Sequence, residues 1–490
     1  MNKEKFYITT SIAYVNAPPH VGFALEEVQA DVLARTHRAK GERVFFLTGT
    51  DEHGIKIARV AAVKGISPER FTDEISLRFR ELKGALNLSW DGFIRTTDKE
   101  RHWPGAVLMW KSLVAAGDIY KKSYKGLYCV GHEAFITQKD MVDGLCVDHK
   151  TKPEEVEEEN YFFKLSKYSK TIGEKIRNGE FEIVPAGRRN EILSLIDREG
   201  LEDISFSRPR KDLSWGVPVP DDETQTMYVW CDALTNYLSA IGYGSTQNID
   251  MSQFRSWWPA DVQCIGKDIL RFHAAIWLGM LLSAGLPLPK KLFVHGFITV
   301  DGQKMSKTIG NVVDPFELVK KYATDAVRYY LLREIPTGED GDFSEEKFKV
   351  LYNADLANGL GNFAARVLKL GEGLGEMKKR EVASEISGKI ENTRKLVANK
   401  IQEFKFHEAL ADLWALIAFG DEYINAKAPW KLTDIEEKTG VIFNLISILD
   451  NIAAMLQPFL PETSEKITAS ITWSEDNLKV KQVEILFPRL

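Results

Sequence analysis

Hydrophobic positions in the first sixty residues follow two periods in turn. Phe6, Ile8 and Ile12 lie in a stretch that favours extended backbone and predicts a strand. Pro18-Pro19 interrupts it, because each proline fixes φ and removes an N–H. Beyond His20-Val21-Gly22-Phe23 the pattern turns helical as far as about Lys40, with Leu25, Val28 and Val32 on one face and Glu26, Glu27 and Asp31 off it. Gly41 stops the helix, and Arg43-Val-Phe-Phe-Leu47 predicts a buried strand running into Thr48-Gly-Thr-Asp-Glu-His-Gly54. A strand–helix–strand unit of this kind closes right-handed into a parallel sheet. The irregular segments around His20 and Asp51 then fall at carboxyl ends of strands, where open α/β sheets bind ligands. Gly22 admits a ligand close to the backbone at a helix start, whose N–H groups attract anions. A plain corner with a surface histidine, and a polar turn that caps the next helix, fit the same pattern.

Further along, residues from about Ile55 to Ala116 read as helical. Short strands and turns follow from Tyr120, and the acidic run Glu154–Glu159 predicts a solvated face. After a loop-rich stretch from Ile204 to Asp222, helical sequence resumes near Tyr228–Tyr237. Strand Val262–Ile265, the turn Gly266-Lys-Asp268 and a helix with Phe272, His273, Ile276 and Trp277 repeat the opening layout. Residues 120–225 therefore read as an insertion between two halves of one sheet. Strand Leu292–Val300 precedes Lys304-Met-Ser-Lys-Thr308, whose two lysines can surround a polyphosphate, although surface lysine pairs are common. Asp314-Pro-Phe-Glu317 supplies a helix N-cap with proline at the first turn. From Phe348 to Pro461 apolar stripes such as Ile390, Val397, Ile401 and Phe404 predict a helix bundle, with a strand-like tail from Leu478.

A chain of 490 residues needs more than one core. With 27% charged residues and a net charge of −6, it is no generic basic nucleic-acid coat, though a local basic surface is compatible. The N-terminus leads straight into the first strand without a signal-type apolar core, and no uninterrupted apolar run approaches bilayer length. Four scattered cysteines make no disulfide scaffold, so the expectation is a cytoplasmic protein without a membrane segment. Cys129-Val-Gly-His132 and Cys146-Val-Asp-His149, thirteen residues apart, form two C-x₂-H pairs. Thiolate and imidazole donors suit Zn²⁺, and four protein ligands suit a structural site. Two core cysteines with surface histidines are the alternative.

His20-x-Gly22 after the first strand, a second sheet half, and Lys304-Met-Ser-Lys307 before a helical bundle resemble class I aminoacyl-tRNA synthetases. Five further stretches narrow the resemblance to the methionyl-tRNA synthetase family: Thr48–Gly54, Tyr228-Val-Trp-Cys-Asp-Ala233, Phe293-Val-His-Gly296, Asn353–Asn362 and Asn425-Ala-Lys-Ala-Pro-Trp430. It covers essentially the whole chain. The fold it implies is α/β: a Rossmann-type parallel sheet in two halves (1–119 and 226–300) split by a zinc-knuckle-like insertion (120–225). A Lys-Met-Ser-Lys and stem-contact region (301–346) and an α-helical anticodon-binding domain (347–490) complete it.

The activity implied is adenylation of L-methionine by ATP with Mg²⁺, then transfer of the methionyl group to tRNA(Met). By resemblance, His20, Lys304 and Lys307 are the catalytic candidates. Gly22, Phe23, Gly266, Asp268, Met305 and Ser306 join them in binding ATP. Asp51 would pair with the methionine ammonium, and Arg208 would serve activation less directly. Ile12, Ala13, Tyr14, Trp230, Leu234, Tyr237, Phe272 and His273 match the pocket wall, with Ala13 and Leu234 standing where the family often has proline. Without the motif around them, Trp230 and Tyr237 read as helix core. Asn362, Arg366 and Trp430 match anticodon-reading positions, and Cys129, His132, Cys146 and His149 the metal site, where histidines replace the usual second cysteines. Phe23 stands where the signature usually has a second histidine. The family's optional C-terminal dimerising module has no counterpart, so a monomer is expected. A synthetase for another amino acid, and a tRNA-binding paralogue that has lost catalysis, are the alternatives.

Overall fold

The computed structural model describes residues 4–132, 134–136, 138–246, 251–305 and 310–490. The chain divides into two compact units: Met1–Pro19, His37–Lys83 and Ser89–His295 form the first, and His20–Thr36, Gly84–Leu88 and Gly296–Leu490 the second.

The first unit is built on a seven-stranded parallel sheet. From one edge its strands run Glu182–Val184, Lys291–His295, Val262–Gly266, Lys5–Thr9 and Arg43–Asp51, and the last pairs with both Ala13–Tyr14 and Gly92–Arg95. Phe46, Leu47, Cys264, Ile265, Phe293 and Val294 are fully buried, which is why these strands read as continuous apolar runs. Strand order reverses between Lys5–Thr9 and Val262–Gly266, so a topological switch point lies at their carboxyl ends. Strand Glu182–Val184 falls within the stretch read as insertion yet completes this sheet.

Two expectations are corrected here. Gly92–Arg95 is a strand inside the region read as helical; four residues are too few to show a period. The acidic run is strand Glu154–Phe163, paired antiparallel over its length with Ile119–Cys129. Glu154, Glu155, Glu157 and Glu159 do face solvent, whereas Glu158 is 9% exposed and ion-paired. Ser207–Pro209, Asp222–Met227 and Pro218–Val219 form a further small sheet that leads into the helix starting at Val229.

In the second unit the helix Val21–Ala39 is buried on every side through its middle, and Glu26, Glu27 and Asp31 are as buried as Leu25 and Val28. The expected polar face does not exist there. Asp31 is paired with Arg35 at 2.7 Å and with the fully buried Arg328 at 2.8 Å. Arg328 also donates to the carbonyls of Leu86, Pro458 and Phe459, so its charge is satisfied on every side.

The strand expected to reach Val300 stops at His295. Ile298–Val300 belongs to a separate sheet with Gln303–Lys304 and Gly341–Phe343. Helices Asn362–Leu374, Ser384–Gln402, Phe406–Lys427, Ile435–Leu456 and Pro461–Ala469 pack as the bundle. Ile435–Leu456 is long and apolar enough to cross a membrane, but most of it is buried among its neighbours. Strand Glu376–Lys378 interrupts the helical region and pairs with Asn477–Val480 from the tail.

Candidate active site

The candidates of the first unit gather at the carboxyl ends of its central strands. The short strand Ala13–Tyr14 pairs in parallel with the end of Arg43–Asp51, setting Ala13 beside Thr50 and Tyr14 beside Asp51. Val15 N donates to Asp51 O at 3.1 Å, so the segment after the first strand is tied to the acidic turn by main chain. Asp51 is 8% exposed. Next to the sheet core, Trp230 stacks on Phe272 with ring centroids 3.8 Å apart and planes 10° from parallel, and His273 meets Trp230 edge-on. Ile12, Trp230 and Phe272 pack against the cluster that holds Leu234 and Tyr237. The predicted helix 228–237 is two short helices, Val229–Leu234 and Asn236–Ser239.

His273 is uncharged. Burial pushes its pKa down to about 4, its Nδ1 lies 3.1 Å from Ile269 O, and its Nε2 lies 2.7 Å from Tyr237 Oη. A neutral ring that donates from Nδ1 accepts the Tyr237 proton at Nε2 and brings no charge to the aromatic wall. At the neighbouring strand end, Asp268 Oδ1 and the His295 ring both lie against the Gly266 backbone, 2.7 and 3.7 Å from where a Cβ would be.

Several residues that hold this arrangement were given no role by the sequence: Glu52, His53 and Asp232 sit inside the quoted motifs, and Arg95, Thr97 and His102 outside any motif. Glu52 is fully buried and takes a bidentate pair from Arg95 at 2.7 and 2.8 Å, with Thr50 and Thr97 hydroxyls as further donors. His53 Nδ1 lies 2.5 Å from Asp232 Oδ2, and His102 Nε2 lies 2.6 Å from Asp232 Oδ1. His102 Nδ1 in turn reaches Ser239 Oγ at 2.9 Å. Burial pushes the Asp232 carboxyl up, but the charge and hydrogen bonds of the two imidazoles outweigh it and hold the pKa near 2. The acidic turn is thus clamped on both sides of its glutamate. Arg208 stands apart from the aromatic wall, paired with Glu158 at 2.7 Å and lying over the Tyr128 ring at 3.9 Å.

In the second unit, Gly22 N donates to His20 Nδ1 at 3.1 Å. The neutral imidazole then carries its proton on Nε2. The ring folds so tightly over the helix start that a Cβ on Gly22 would sit 2.9 Å from it, and Met305 Cε would be 3.6 Å away. The His20 corner and the start of the Lys-Met-Ser-Lys loop therefore adjoin, and Val21 N donates to Val313 O beyond the loop. Ser306 and Lys307 lie outside the described residues, as does the Lys304 side chain. Phe23 is half-buried on the first helical turn.

At the two C-x₂-H pairs, the ligand atoms of Cys129, His132, Cys146 and His149 lie within 4.8 Å of one another. Sulfur–nitrogen separations of 3.6, 3.7 and 3.8 Å match the edges, about 3.5–3.8 Å, of a tetrahedron built from ordinary Zn–S and Zn–N bonds. His132 Nε2 is 3.0 Å from Asp148 Oδ2, the carboxylate-to-imidazole contact that orients a ligating ring. The donor set fits zinc.

Residues 6–152 and 136–368 match the family described as tRNA synthetases class I (M), and 383–485 match the anticodon-binding domain of tRNA ligase. The chain is 42% identical to the methionine–tRNA ligase of Clostridium acetobutylicum over all of itself and 78% of that protein. It is equally identical to that of Brucella melitensis over 95% of itself and 92% of the relative. The chain belongs to the methionine–tRNA ligase family. A solved structure of Mycobacterium tuberculosis methionyl-tRNA synthetase in complex with methionyl-adenylate superposes with a TM-score of 0.93 at 37% identity, covering 99% of this chain and 100% of the other.

Of the three anticodon candidates, Trp430 lies within the residues matched to the anticodon-binding domain, whereas Asn362 and Arg366 precede it, within the residues matched to the synthetase family. Asn362 opens the helix after a ten-residue π-helical stretch, Tyr352–Gly361, and is exposed. Arg366, one turn on, is braced by Asp421 at 3.0 Å and Asn425 at 2.7 Å from the helix Phe406–Lys427. Trp430 follows the left-handed Ala428 and Pro429 and is 51% exposed. A half-exposed indole offers a face on which a base can stack.

Proposed function

We propose that the chain activates L-methionine with ATP, releasing pyrophosphate, and transfers the methionyl group to the 3′-terminal ribose of tRNA(Met). Family membership over the whole chain supports the reaction and the amino acid, and what carries the site assignment is Ile12, Trp230 and Phe272 packed on one cluster, with Tyr14, two residues on, paired to Asp51.

The methionine carboxylate attacks the α-phosphorus and pyrophosphate leaves, giving a mixed anhydride; the ribose hydroxyl then displaces AMP. Neither step needs a covalent enzyme nucleophile, so positioning and preorganised charge supply the acceleration. Asp51 takes the ammonium. Ile12, Ala13, Tyr14, Trp230, Leu234, Tyr237, Phe272 and the neutral His273 form aromatic and aliphatic walls for a polarisable thioether. Gly266 and Asp268 take the adenosine. His20 Nε2–H, Gly22, Met305, Ser306 and the ammonium groups of Lys304 and Lys307 take the triphosphate, which arrives with Mg²⁺. Phe23 supplies packing where a second histidine would donate.

On the bundle, Trp430 stacks on an anticodon base while Asn362 and Arg366 hydrogen-bond base edges, the usual way of reading splayed RNA bases. Zn²⁺ held by Cys129, His132, Cys146 and His149 supplies cross-linking of the insertion's hairpins.

Pyrophosphate exchange with each of the twenty amino acids tests the reading. Exchange only with methionine is expected; exchange with another amino acid would move the substrate. The Phe23 departure favours one rival, a tRNA-binding paralogue, for which tRNA would bind with no exchange at all.

A further inference from the structure

The part of the insertion that carries the two C-x₂-H pairs also contacts Arg208. Arg208 is 4% exposed and Glu158, with which it pairs at 2.7 Å, is 9% exposed, so this is a buried ion pair. Glu158 lies on the strand Glu154–Phe163, opposite position 124 of the strand Ile119–Cys129. Four residues further along that second strand, on the same face, is Tyr128, whose ring carries the Arg208 guanidinium. Tyr128 directly precedes Cys129, the first residue of the metal-ligand set.

On its other side Arg208 is tied to the amino-acid site. Its strand pairs with Asp222–Met227, Arg208 opposite Thr226, and that strand runs through Tyr228 into the helix that bears Trp230. Arg208, Tyr128 and Tyr228 share the wall of a small cavity with Gly54, the last residue of the acidic turn.

We propose that Glu158 and Tyr128 are positioning residues that fix the Arg208 guanidinium beside the acidic turn, and that metal at the knuckle maintains this hold through Cys129. The proposal rests on the synthetase reading above only for the use to which Arg208 is put. A planar cation stacked on a ring and bonded at its edge is fixed in both position and tilt, which a lysine ammonium could not achieve. Glutamate to glutamine at 158 keeps the shape but removes the negative charge that the buried guanidinium faces there. Loosening the knuckle frees the backbone one residue from the ring.

The direct test is phenylglyoxal modification of Arg208, followed by peptide mass spectrometry. It requires no turnover. Modification at least tenfold faster than wild type is expected in Glu158→Gln, in Tyr128→Leu and in enzyme stripped of metal by a chelator. Re-addition of Zn²⁺ should restore protection, and Tyr128→Phe, which keeps the ring, should stay protected. Equal protection of Arg208 in all of these proteins overturns the proposal. Exposure in the two variants but not after metal removal overturns the link to the metal.

A second arm reads the consequence. In methionine-dependent exchange, Glu158→Gln and Arg208→Lys should each lower kcat at least tenfold and change KM for methionine less than threefold. If Arg208→Lys keeps full kcat, the use of Arg208 in activation falls whatever the modification shows. Wild-type protein without exchange sinks the synthetase reading and leaves the modification arm to decide the clamp.

Discussion

Replacing Asp232 by asparagine removes one negative charge and almost no volume from the centre of the first unit. The carboxylate is held at both oxygens by imidazoles, His53 at 2.5 Å and His102 at 2.6 Å, and is 1% exposed. An amide can accept from only one of them and turns an NH₂ toward the other. Its pKa falls from an ordinary 3.8 to about 2, which at roughly 1.4 kcal/mol per unit is a contribution of about 2–3 kcal/mol at neutral pH. Because the folded value is the lower one, the contribution is complete above pH 3.8 and disappears as pH falls toward 2. With two compact units a single global unfolding energy is poorly defined, so local opening is the better measure. Amide hydrogen exchange across residues 229–239 should be roughly 30- to 150-fold faster in Asp232→Asn than in wild type at pH 7, the equivalent of about 2–3 kcal/mol. The ratio should shrink steadily between pH 4 and pH 2.5. A ratio below threefold at pH 7, or one that does not change with acid, would show that the two imidazoles do not stabilise the carboxylate as argued.

Other outcomes follow from the same structure. Arg328→Met removes the buried ion pair to Asp31 and the donor to three carbonyls, at a cost of about 3–5 kcal/mol, read as exchange at least 100-fold faster in the helix Thr324–Glu334; an increase under fivefold refutes it. Lys307→Ala should slow adenylation by about 100-fold or more while methionine binding, measured by calorimetry, changes little; equal losses in both remove the lysine from the transition state. Trp430→Ala should weaken tRNA(Met) binding by about 1–3 kcal/mol and leave exchange untouched, and a fall in exchange would place the tryptophan in a structural role. Since burial lowers His273 to about 4, imidazole NMR should show no titration of its ring between pH 6 and pH 8; a midpoint in that window contradicts the neutral pocket wall.

The local parts of the site were readable from residues. His20 and Gly22 pack together as their spacing implies, the two C-x₂-H pairs converge on one point, and the helices of the bundle follow their apolar stripes. Each of these depends on neighbours a few positions away, where periodicity and spacing carry direct information. Reading failed where the partner is distant. Glu26, Glu27 and Asp31 were assigned to a polar face because charge is costly to bury alone, yet Arg328 makes burial of Asp31 affordable from nearly three hundred positions away. Glu158 looked like one more solvated acid until Arg208 was folded against it.

Sequence by itself determined which chemistry is present: a histidine at a helix start, paired lysines on a loop, an aspartate at a strand end, four soft metal donors and a family membership evident over the whole length. Tertiary structure decided what each group faces. Parallel pairing of a two-residue strand puts Tyr14 beside Asp51, a stack closes Trp230 on Phe272, and Asp232 gathers two histidines from 130 and 179 positions earlier in the chain. Such contacts lie tens to hundreds of residues apart, and only burial, by removing water as the competing partner, makes the pairing between them strong enough to count.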